Sequence, residues 1–110
     1  MKKFLLVTLL AILPIFSFAK GPDCYSWPMN MSEVWLKNAG VVDIKNLDES
    51  KTKITLLASE KKAKGLYTQI YHFILCDEKG NTYETITKND ASYKECSMSD
   101  VDVYLIPIVI

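Results

Sequence analysis

Between Leu66 and Cys76 the chain reads Leu-Tyr-Thr-Gln-Ile-Tyr-His-Phe-Ile-Leu-Cys, with no glycine, proline or carboxylate. Aromatic and β-branched side chains dominate this stretch and favour extended backbone. Ile70, Ile74 and Cys76 fall on one face, and Tyr67, Tyr71, Phe73 and Leu75 on the other. A strand with two apolar faces wants cover on both. It is therefore expected at the centre of a sheet, with a helix or a folded-over part of the sheet on one side. Asp77-Glu78-Lys79-Gly80-Asn81 follows as the clearest hairpin signal in the chain. Gly80 supplies the positive φ that such a turn needs.

The flanking segments extend this sheet. Val42 and Ile44 alternate with Asp43 and Lys45, which predicts a short first strand, and residues 46–50 read as a turn. Thr52–Ala58 alternates again, with Ile54, Leu56 and Ala58 on one face, and Glu60–Gly65 reads as a charged connection. Thr82–Lys88 returns from the hairpin, Asn89–Ser99 is a polar loop, and Asp100–Ile110 closes the chain. Pro107 cannot donate a ladder hydrogen bond, so the last strand is expected at an edge or bent there. Ahead of the sheet, residues 20–30 read as an irregular lead-in with Asn30 and Ser32 as N-caps. Met31, Val34, Trp35 and Asn38 follow helical spacing and Gly40 marks a stop, which predicts a helix over 31–38. The expected fold is α+β or mostly β: an antiparallel meander of about five strands with one short N-terminal helix.

The first nineteen residues have a different character. Lys2 and Lys3 precede an apolar run over Phe4–Phe16, and Ser17-Phe18-Ala19 ends it in small-x-small form. That is the pattern of a secretory signal peptide, too short to span a bilayer comfortably. Residues 20–110 are then a single small secreted domain. Cys24 follows Asp23 and lies beyond the Ala19 site, which argues against a lipid-anchored cysteine and against any stable membrane anchor after cleavage. Without Lys2 and Lys3 the chain keeps eleven lysines against thirteen acids, and it has no arginine. Such a chain is poorly suited to nucleic acid, which is bound through basic patches and bidentate arginine.

In an oxidising compartment two of the three cysteines, Cys24, Cys76 and Cys96, are expected to pair. Cys24 and Cys96 lie in polar, loop-like stretches, whereas Cys76 ends an apolar strand, where an unpaired thiol passes as a small hydrophobe. Cys24–Cys96 is the favoured bridge and Cys76–Cys96 the alternative.

Catalytic and metal-binding patterns are weak. His72 is the single histidine, and Cys76 shares its face four residues on. Four residues along a strand span about 13 Å, too far for a nucleophile and its base. A turn centred on Lys79-Gly80 sets Thr87 opposite His72 and Tyr83 opposite Cys76, and neither activates a thiol. One histidine with scattered cysteines gives no zinc spacing. Asp90, Glu95, Asp100 and Asp102 lack the register of a calcium loop. Ser97 and Ser99 carry no nucleophile elbow, and Lys61, Lys62 and Lys64 read as ordinary solubilising charge. No catalytic residue, cofactor or metal is expected. Trp27 and Trp35 with Met29 and Met31 form an aromatic, Met-rich patch. It suits core packing first, and as a contact surface Trp27, Met29 and Trp35 are the residues a partner would meet.

Asn89-Asp90-Ala91-Ser92, Glu95-Cys96-Ser97-Met98-Ser99 and Val101-Asp102-Val103-Tyr104 together resemble the tail of small uncharacterised exported (periplasmic) proteins of Gram-negative bacteria. The resemblance is confined to the C-terminal third. It implies a periplasmic address and a structural half-cystine at Cys96, and it carries no activity. The functional expectation is a non-enzymatic periplasmic module that binds another protein, of the immunity or inhibitor type. The alternative is a small-ligand-binding or envelope-stress protein.

Overall fold

The computed structural model describes residues 21–107. The signal-peptide segment, and Ile108 to Ile110 of the expected last strand, lie outside the described residues. Helix α1 spans Ser26–Asn38 and is followed by two short 3₁₀ turns, Ile44–Asn46 and Glu49–Lys51. Strands β1 (Lys53–Ala63), β2 (Leu66–Cys76), β3 (Thr82–Ala91) and β4 (Asp102–Ile106) then form one antiparallel sheet in the order β1-β2-β3-β4. The fold is mostly β with a single helix, a meander of four strands rather than five.

The missing strand is Val42–Ile44. Its apolar run is too short to hold a sheet edge. Asp43 accepts from the Lys45 amide at 3.4 Å and tips the backbone into the 3₁₀ turn. The segment after it meets the end of β2 through a single bridge, Leu47 to Asp77, flanked by bonds from the Asp48 amide to Cys76 O and from the Glu78 amide to Asn46 O, while Val42 and Leu47 pack against the core. Helix α1 starts five residues before the expected Met31. Pro28 lies in its first turn, where the missing N–H would have no partner anyway. Asn30 and Ser32 are thus interior residues and not caps. The stop is where Gly40 places it. The Val41 amide bonds Leu36 O and the Gly40 amide bonds Lys37 O, a double closure that needs the φ of 73° found at Gly40.

β2 is central, as its two apolar faces demand. Tyr71, Phe73 and Leu75 are buried beneath α1 with Leu36, and Met29, Tyr83 and Leu105 close the cluster. Each fully buried side chain of this kind contributes about 1.5–3 kcal/mol. Beside them the same face turns polar: Gln69, Thr85, Thr87 and Asn89 are buried, and Ser32 Oγ meets Thr85 Oγ1 at 3.0 Å. That contact sets the rotation of the helix. Pro28, Ser32, Glu33 and Leu36 face inward, while Val34 and Trp35 of the expected stripe are exposed.

The hairpin turn centres on Lys79 and not between Lys79 and Gly80, because the Asp77 amide bonds Asn81 O at 2.9 Å. The register moves by one. His72 faces Ile86 and Cys76 faces Thr82, in place of the expected Thr87 and Tyr83. β1 runs on through Lys61 and Lys62, since an exposed edge strand carries lysines into water without penalty. β3 takes Asn89, Asp90 and Ala91 from the expected loop, helped by a 2.7 Å bond from Thr68 Oγ1 to Asp90 Oδ1. β4 is an edge strand, as Pro107 predicts.

Cys24 and Cys96 form a disulfide with their Cα atoms 5.3 Å apart, and Cys76 is a free thiol. The bridge ties the residue before α1 to the loop between β3 and β4, and it fits an oxidising compartment. No helix among the described residues is long and apolar enough to cross a membrane.

Candidate functional site

The sheet has a second face that α1 does not touch. Pairing registers place Thr55, His72, Ile86 and Tyr104 in one row across it, and Lys53, Ile74, Glu84 and Ile106 in the next. Ala58, Ile70, Lys88 and Asp102 form a third row. On the two central strands Ile70, Ile74 and Ile86 therefore alternate with His72, Glu84 and Lys88, while the outer strands add Thr55, Ala58, Tyr104 and Ile106 with Lys53 and Asp102. Ile70, Ile74 and Ile86 are half-buried by their strand neighbours alone, and Tyr104 is 57% exposed. Helix α1 packs on the opposite face, and the second 3₁₀ turn meets this one at its end, where Lys51 O lies 3.7 Å from Cys76 Sγ. Apolar side chains interleaved with a few charged ones, and an exposed tyrosine, suit a protein interface.

His72 Nε2 lies 2.9 Å from Glu84 Oε1 near the middle of this face. The pair cross-links β2 and β3. It cannot serve Cys76, whose sulfur instead points to Lys51 O at 3.7 Å. The serines of the last loop are also occupied. Ser99 Oγ accepts from the Asp90 amide and donates to Asp100 O, and Ser97 Oγ donates to Glu95. Asp90 is engaged by Thr68 and Lys62. Among the described residues no three histidines, cysteines or carboxylates gather as metal ligands.

The aromatic patch divides. Met29 packs into the core cluster, while Trp35 is 37% exposed. Trp27 lies two turns before Trp35 on the same flank of α1, partly buried, with its Nε1 enclosed and unbonded. The expected patch is thus divided: Met29 turns into the core, and Trp27 and Trp35 stand about 12 Å apart along the helix.

A cleft of about 640 Å³ opens between the end of α1 and the β2–β3 turn, lined by Lys37, Asp43, Asn46, Asp77, Lys79 and Tyr83. Its buried acid is committed. Asp77 accepts from the Lys79 and Asn81 amides, from Asn81 Nδ2 and from Tyr83 Oη, all within 2.9–3.0 Å. These donors, Asn81 first, hold its carboxyl down at about 2. A base so fully bonded is a turn clamp, not a proton acceptor for substrate.

Glu33 behaves in the opposite way. It lies inside α1 at 4% exposure, with Oε2 buried and unbonded. Burial above all, then the adjoining Glu49 carboxyl, raises it to about 8, so it is protonated at neutral pH. Glu49 approaches it from the second 3₁₀ turn.

Comparison with family models, with curated proteins and with solved structures yields no match to this chain. The functional reading therefore rests on the surfaces just described. Of these, sequence reasoning missed the open sheet face. Its signal was present in Ile70 and Ile74, but both faces of β2 were expected to be covered from within the chain.

Proposed function

We propose that the protein is a non-enzymatic module of the periplasm that binds another protein, of the immunity or inhibitor type. One observation carries the reading: among the described residues the sheet face bearing Ile70, Ile74 and Ile86 has no helix over it, whereas the opposite face is closed by α1. An exported domain that leaves such a face open gains from a partner that removes it from water, at about 25 cal/mol per Å² of apolar surface. The Cys24–Cys96 bridge supports the reading, because a rigid platform loses little freedom on binding. Capture experiments from periplasmic extract should recover one stoichiometric partner with the wild-type protein and lose it with Ile70→Glu or Ile86→Lys. Recovery of the same partner by both variants, or of none by the wild type, would count against the proposal.

A further inference from the structure

A different surface of the molecule is shaped for a strand. β1 forms one edge of the sheet and runs for 11 residues, Lys53–Ala63. Alternate residues of an edge strand direct their N–H and C=O groups away from the sheet, where they template a further strand. Natural edges are usually kept short or studded with charge. Here six consecutive residues, Ile54 to Ser59, carry none. Ile54 and Leu56 are 39% and 38% exposed, and Leu57 46%.

A groove of about 410 Å³ adjoins this edge, lined by Ile54, Leu56, Tyr71 and Tyr25, with Gly21, Pro22 and Asp23 on its far wall. Leu56 faces Tyr71 and Ile54 faces Phe73, so both side chains project toward the groove side of the sheet. Its far wall is held in place. Gln69 Nε2 donates to Pro22 O at 2.8 Å, Gly21 approaches Ser59 and Tyr67 so closely that a Cβ would collide with both, and Cys24 is anchored by its disulfide. An edge for main-chain pairing beside a preformed apolar groove is the arrangement by which sheets take up extended peptides. The groove receives alternate side chains of the incoming strand.

Charge selects the occupant. From Lys53 to Lys64 the edge and its turn hold four lysines against one glutamate, Glu60. Lys62 is half-exposed and lies 3.8 Å from the partly buried Asp90, which leaves Lys53, Lys61 and Lys64 without a carboxylate partner among the described residues. A second copy laid on this edge brings like charge to like charge, whereas an acidic strand is attracted. The extra residue at Leu57, where the register slips between Leu56 and Ala58, divides the edge into two short pairing runs.

We infer that the β1 edge accepts an extended segment of a partner protein as an added strand, with an acidic end beside Lys61–Lys64 and alternate apolar side chains in the groove, where Asp23 disfavours acids. The inference rests on the protein-binding reading but uses a surface distinct from the open face. A synthetic peptide of about eight residues, two glutamates followed by alternating valine and threonine, tests it by titration into the oxidised, isotope-labelled protein. Amide exchange should slow across residues 54–59. A peptide with lysines in place of the glutamates should bind about tenfold more weakly at low salt, the effect of two exposed ion pairs. Lys61→Glu with Lys64→Glu should reverse that preference. Leu56→Asp, at an exposed position, should abolish binding of both peptides while leaving circular dichroism and the disulfide unchanged. Three outcomes overturn the inference: no binding at about 1 mM peptide, perturbations confined to other surfaces, or concentration-dependent self-pairing of β1 without peptide. Because the probe is a defined peptide and not an extract, its failure leaves the open-face proposal standing, and the reverse also holds.

Discussion

Glu33 gives this protein an unusual dependence on pH. In the unfolded chain its carboxyl ionises near 4.5, but in the fold it keeps its proton up to about 8, through burial and the neighbouring Glu49. Between those values the folded state binds the extra proton. Stability is therefore greatest below pH 4.5 for this group and is lost progressively as pH rises through 8. Each pKa unit corresponds to about 1.4 kcal/mol, so full expression of the shift would reach about 5 kcal/mol. Glu49 is exposed and can swing into water once Glu33 ionises, so we expect roughly 2 kcal/mol to survive. Glu33→Gln keeps the shape and removes the charge. Urea unfolding of both proteins from pH 5 to 9 should show the wild type losing about 2 kcal/mol relative to the variant. Taking the difference cancels every other titrating group. Parallel curves for the two proteins across that range would refute the assignment.

Three further outcomes follow from the same structure. Replacing Cys24 and Cys96 with serine opens a loop of 72 residues, costs about 4 kcal/mol on the chain-entropy model, and should leave the domain barely folded in thermal melts. Asp77, bonded by four donors, should titrate by carbon-detected NMR near 2, and the stability it confers should disappear as pH falls from about 4 through 2. Phe73→Ala empties a fully buried site and should cost about 3–5 kcal/mol in chemical denaturation without moving the pH profile.

The features legible in the sequence are those written locally. The alternation of Leu66–Cys76 and the glycine-containing turn after it yielded the central hairpin, and the polar settings of Cys24 and Cys96 pointed to the bridge that the structure holds. Features decided by distant contacts were hidden. The rotation of α1 depends on Ser32 meeting Thr85, which no helical periodicity announces: the stripe through Met31, Val34 and Trp35 points Trp35 inward, whereas it lies outward, where its other reading as a contact residue puts it. Pro28 reads as a breaker until the helix is seen to begin at Ser26. Lys61 and Lys62 read as loop because nothing local marks β1 as an edge, where charges cost nothing. The open face was half visible. Ile70 and Ile74 declared an apolar surface, but only the assembled sheet shows that α1 occupies the other side.

The contact between Ser32 and Thr85 also orders events in time. Helix α1 precedes every strand along the chain, yet its seat on β3 lies 53 residues further on. The hairpins of the meander close between neighbours and are fast, while a contact of that separation waits for the chain between. A nascent chain therefore carries α1 without its floor until β3 has paired with β2. A 13-residue helix is marginal alone, so it condenses onto a finished sheet, and disulfide closure between Cys24 and Cys96 becomes the last act, sealing a molecule that was assembled from its middle outward.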